Sequence, residues 1–85
     1  MESNEIVRKE ILKVVDNQLR ANNPPETRQT LERLKAIGYS GNDAKKLIAQ
    51  CVAIEIYRTI KDKIPYDNKR YISNLNKLPE DLYDE

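Results

Sequence analysis

At 85 residues the chain has room for one domain, and a chain of this size buries only about 60 to 65% of the surface its unfolded form exposes. Apolar residues make up 39% and charged residues 34%, with Gly and Pro scarce, so the composition is rich in charge without being that of a disordered chain. Fifteen basic against fourteen acidic residues leave a net charge of +1, which lacks the positive excess that drives nucleic-acid binding.

The first predicted element runs over about 4–21. Val7, Ile11, Val14, Val15 and Leu19 recur at spacings of three and four and share one stripe of a helix, with Ser3 as the expected N-cap. Asn22-Asn23-Pro24-Pro25 ends it, because a prolyl ring disfavours helical geometry in the residue before it. A second helix is expected over about 25–37, with Pro25 in the first turn, where its missing N–H is not needed, and Glu26 near the positive end of the dipole. Thr27, Thr30, Leu31, Leu34 and Ile37 form its inward stripe, and Gly38 is the expected left-handed cap.

Ser40 and Asp43 have the spacing of a capping box, and Tyr39 and Ala44 that of a hydrophobic staple, so a third helix starts here and runs over about 41–63. Ala44, Leu47, Ile48 and Cys51 share one face, whereas Ala53, Ile56, Tyr57, Ile60 and Ile64 lie roughly opposite. That pattern predicts a central helix buried on both sides. Ile64-Pro65-Tyr66 breaks it, Asp67 caps a fourth helix over about 68–77, and Tyr66 and Tyr71 have staple spacing. Tyr71, Ile72, Leu75 and Leu78 are its apolar face. Pro79 opens an acidic tail, 79–85, expected to fray unless Leu82 and Tyr83 dock on the body. The predicted fold is an all-α, four-helix, mostly antiparallel bundle with a long central third helix, in a single domain spanning 1–85.

Catalytic chemistry finds little support in these residues. One cysteine and no histidine cannot supply a transition-metal site, no Asp-rich calcium loop is present, and Gly38 and Gly41 lack the Lys-Ser/Thr partner of a phosphate loop. No metal, no cofactor and no enzymatic activity are expected. Cys51 sits in mid-helix on an apolar face and reads as a packing residue. A lone cysteine, no secretory pattern and no apolar run of bilayer length point to a cytoplasmic protein without a membrane contact.

Two surfaces are candidates for binding. Glu55 and Arg58, three residues apart, read either as a solvated ion pair or as a partly buried polar patch at the mouth of a groove between helices 3 and 4. In the second reading Arg70 and Tyr71 join them to bind a peptide or carboxylate. Lys45, Lys46, Arg58, Lys61, Lys63, Lys69 and Arg70 would form a basic strip if helices 3 and 4 packed antiparallel, although a solvated face with acids interspersed is the simpler reading.

The stretch Leu34-Lys-Ala-Ile-Gly-Tyr-Ser-Gly-Asn-Asp-Ala-Lys-Lys-Leu-Ile48 resembles the first loop and second helix of ubiquitin-associated domains, with Ile37 in place of the usual Met. More widely, Asn23 to Pro79 is similar to small helical domains of bacterial proteins, a resemblance that implies a helical bundle and transfers no functional residues. The function expected is that of a non-enzymatic protein-interaction module, with a protein partner or self-association through helix 1, whose apolar stripe exceeds what so small a body covers. The alternatives are a nucleic-acid-binding accessory protein and a small subunit that completes an enzyme site with a partner chain.

Overall fold

The chain's fold is described by a computed structural model, which covers the backbone of residues 2–80 and the side chains of residues 5–80. The Ser3 side chain and the tail from Asp81, with Leu82 and Tyr83, lie outside the described residues. Four helices follow one another: α1 (Glu2–Ala21), α2 (Pro25–Ala36), α3 (Gly41–Asp62) and α4 (Asn68–Lys77), and the described residues contain no strand. The fold is an all-α bundle.

The helix ends follow from local chemistry. Pro25 opens α2 as its first residue, with Pro24 extended before it. At its other end Tyr39 N–H donates to Leu34 C=O and Gly38 N–H to Lys35 C=O, the paired closure of a Schellman turn. Gly38 makes that turn possible, since its φ of +114° is one that side-chain-bearing residues rarely adopt. Ser40 then caps α3, its hydroxyl accepting from Asp43 N–H at 3.1 Å, and Asp67 caps α4 by accepting from Arg70 N–H at 3.1 Å. Tyr66 and Tyr71 close the staple at α4 with ring centroids 5.9 Å apart.

Two arginines of α2 serve the ends of its neighbours. Arg28 donates to Leu19 C=O at 2.6 Å, in the last turn of α1. Arg33 donates to Leu75 C=O at 2.9 Å and to Leu78 C=O at 2.7 Å, where α4 ends. Each places a cation at the negative end of a helix dipole, where Leu19 C=O and Leu75 C=O otherwise accept only the last-turn N–H groups of Asn22 and Leu78.

Direction follows from the paired residues. Lys45, early in α3, meets Asp16, late in α1, at 2.9 Å, and the earlier residues Val7 to Leu12 of α1 line a groove with α3 residues that reach on to Ala53, so these two helices run in opposite senses. Thr27 meets Tyr71 and Arg33 meets Leu75 and Leu78, so α2 and α4 run in the same sense. Both α2 and α3 pack on every other helix, whereas the backbones of α1 and α4 stay apart and Tyr71 of α4 reaches across to Gln18 of α1.

The core is built from Val15 and Leu19 of α1, Leu31 and Leu34 of α2, Ala44, Ile48, Cys51 and Val52 of α3, Tyr71 and Leu75 of α4, and Leu78 beyond it. Two expectations fail. Ile37 stands past the end of α2 and is 57% exposed, because the Schellman turn swings the chain away from the core at that point. The second face of α3 is not covered in its later half: Tyr57 is 52% and Ile60 73% exposed, since α4 lies against Glu55 and leaves the opposite side to solvent.

Candidate functional site

The four residues singled out for a binding patch are divided by the fold. Glu55 does not pair with Arg58. It is fully buried and accepts from Arg70 Nε at 2.7 Å, Arg70 Nη2 at 3.0 Å and the Asp67 backbone N–H at 3.3 Å. The solvated-pair reading is thereby corrected: the pair is a two-pronged bridge from α3 to α4. A planar guanidinium matches a carboxylate in this way, and the contact with Glu55 holds Arg70 above its ordinary pKa.

Tyr71 is also fully buried and points the other way, into the junction of α1 and α2. Its hydroxyl lies 2.6 Å from Gln18 Oε1 and 2.9 Å from Thr27 Oγ1, and Thr27 Oγ1 lies 2.7 Å from the same Gln18 oxygen. Two hydroxyl protons serve three short contacts, so at any instant at most two of them are hydrogen bonds. Burial pushes the Tyr71 phenol well above its usual range.

Arg58 is left alone by this arrangement. Its Nε and Nη2 are shielded from solvent and meet no acceptor, and the Thr59 hydroxyl is in the same state. Glu55 and Tyr71 are committed to internal contacts, and of the four residues only Arg58 and Arg70 keep part of their surface in solvent. The basic strip is broken as well: Lys45 pairs with Asp16, Arg70 with Glu55, and the Lys61 ammonium sits over the Tyr57 ring, 5.5 Å from its centroid.

The open surface of the molecule lies elsewhere. Burial falls steeply along α1, from Val15 and Leu19 in the core, through half-buried Ile11 and Leu12, to Val7 at 54% and Ile6 at 61% exposed. The early turns of α1 stand beside α3 with no third helix over them, and a groove of about 490 Å³ runs between the two. Val7, Ile11, Leu12, Ala49 and Ala53 supply its apolar lining, and Arg8, Lys46 and Gln50 its polar lining, with no acid among them. Ala53, Tyr57 and Ile60 follow at spacings of four and three, so one stripe of α3 carries apolar surface out of the groove and onto the exposed second half of the helix.

Comparison with protein-family models, curated proteins and solved structures finds no match.

The sequence pattern places Val7 and Ile11 on the core stripe of helix 1, Lys46 in a basic strip, and Ala53, Tyr57 and Ile60 on a covered face, whereas the structure brings them to the groove and its exposed continuation. Periodicity identifies which residues share a face, but only the count of neighbouring helices decides whether that face is covered. Cys51 is where the periodicity put it: it is fully buried, its thiol faces Leu47 C=O at 4.0 Å, and burial pushes its pKa up to about 12. No cluster of three or more metal-ligating side chains occurs among the described residues, and no helix among them is long and apolar enough to cross a membrane.

Proposed function

We propose that this chain is a non-enzymatic protein-interaction module that seats a helix of another polypeptide in the α1/α3 groove. One observation carries the reading: in a domain whose apolar residues are few, Val7, Ile11, Leu12, Ala49 and Ala53 line an open groove while Tyr57 and Ile60 extend it bare to solvent. Contiguous exposed apolar surface of this kind is what an amphipathic helix buries when it lies between two others.

The alternatives find less support. Three of the seven cations of the basic strip are engaged within the chain, which weakens a nucleic-acid surface. A site completed by a partner chain would need Glu55 or Arg58 in a concave pocket; Glu55 is fully buried with three hydrogen bonds, and neither residue lines the groove.

The reading is tested by placing a photoreactive amino acid at Ala53 and irradiating the protein in cells that produce it. A covalent adduct with a polypeptide, lost when Leu12→Glu charges the groove, is the expected result. Irradiation that yields no polypeptide adduct at Ala53 would overturn it.

A further inference from the structure

We infer that the occupant of the groove is an acidic amphipathic helix of another polypeptide, with large apolar side chains along one face and carboxylates on its flanks. The inference rests on the interaction reading above and names the partner's chemistry. It is carried by where the charges of α3 stand. Between Asp43 and Asp62 that helix has one acid, Glu55, and it is buried against Arg70. Over the same span the open side of α3 carries Lys46 at the groove and Lys61 beside Tyr57. Arg8 adds a third cation from the α1 wall. Neither Arg8 nor Lys46 forms an ion pair among the described residues, although Glu5 and Asp43 lie one turn from them, and neither of those acids lines the groove.

Length and bulk follow from the same stretch. Lys46 and Lys61 are fifteen positions apart, about 22 Å of helix, which a partner of roughly four turns spans. Ala49 and Ala53, four positions apart on α3, let a second helix approach closely and leave space that leucine-sized residues of the partner fill. Acids on the two flanks of that helix then meet Arg8 on one wall and Lys46 on the other. A neutral helix would cover the apolar lining equally well but leave these cations at its edges without a counter-charge. Anionic lipid would be drawn by the same cations, but a bilayer is flat and does not enter a groove between two helices.

The test is fluorescence anisotropy with two labelled helical peptides of about 18 residues, both with leucines at alternating three- and four-residue spacing, one flanked by glutamate and the other by lysine. The glutamate peptide is expected to bind at least tenfold tighter at about 0.05 M salt, and the margin should shrink toward about 0.5 M as screening shortens the reach of exposed charges. The double variant Arg8→Glu/Lys46→Glu, at two exposed positions, should keep its helical circular dichroism and reverse the preference. Failure of the glutamate peptide to bind, or equal binding by the lysine peptide, overturns the inference, as does a preference that the double variant leaves unchanged. Binding to phosphatidylglycerol vesicles in place of the glutamate peptide overturns it too. The Ala53 photoprobe separates this from the broader reading. A polypeptide adduct formed while the glutamate peptide fails leaves the interaction reading standing, and no adduct removes both.

Discussion

Arg70 grips Glu55 through one edge of its guanidinium, Nε and Nη2 meeting the two carboxylate oxygens at 2.7 and 3.0 Å. The acid is fully buried and the base is not, so the two are unequal partners in stability. Arg70→Met is expected to lower the urea midpoint sharply, because it leaves a buried carboxylate with only the Asp67 N–H. Glu55→Leu should cost less, since Arg70 can turn to water. The double variant should be more stable than Arg70→Met alone, a reversal that follows when the buried charge itself is the burden. A double variant no more stable than Arg70→Met would show that the unpaired Glu55 carboxylate is not the burden.

Arg58 has the same fork with nothing in it. Buried N–H groups without acceptors destabilise a fold, so Arg58→Met is expected to leave stability unchanged or to raise it by up to about 1 kcal/mol. Denaturant titration decides this. A loss of more than about 1 kcal/mol would mean that the guanidinium has a partner in solution.

Tyr71→Phe removes one of the two protons shared among Tyr71, Thr27 and Gln18, while the Thr27 bond to Gln18 survives. A loss of about 1 kcal/mol is expected, or roughly 4 to 8 °C in Tm for a domain of this size. Thermal melting followed by circular dichroism measures it directly.

Alkali should unfold the protein through two buried acids. Burial raises Cys51 from 9.0 to about 12 and raises Tyr71 above 10.0, so in both cases the unfolded chain gives up its proton first. For a raised pKa the contribution is fully present below the unfolded value and is lost as pH climbs toward the folded one. Stability is therefore expected to hold through neutrality and to fall from about pH 9 upward, by up to about 1.4 kcal/mol per pH unit for each group. Cys51→Ala should remove the first part of that decline. An unchanged profile in Cys51→Ala would show that the thiol does not contribute.

Gly38→Ala tests the corner between α2 and α3. Nothing lies within 4 Å of a Cβ added there, so any loss comes from backbone strain at φ +114° alone. The expected destabilisation is about 1 to 2 kcal/mol, read from the urea midpoint.

The helices were legible because their ends are written in adjacent residues. Pro25, Ser40, Asp67 and Gly38 act on neighbours a few positions away, and the structure puts each at the terminus its chemistry specifies. The core stripes of α2 and α4 were legible for the same reason, since Thr27, Leu31 and Leu34, and Tyr71 and Leu75, are periodic and buried. What could not be read is pairing across distance. Glu55 had Arg58 within reach on its own helix, yet it chose Arg70, fifteen positions on, because α4 brings a complementary fork to a site that solvent does not reach. The groove escaped for a related reason: four helices are one too few to cover both sides of α3, and no local pattern reveals which side goes without.

The lone thiol of Cys51, sealed between helices, is also a clock. An alkylating reagent can reach it only when a helix lifts, so the rate of its modification, set against that of a free thiol, measures how often the native chain opens. Such a reading needs no denaturant, and it would report whether occupation of the α1/α3 cleft, lined by Ala49, Gln50 and Ala53 on the same turns of α3, holds the helices together.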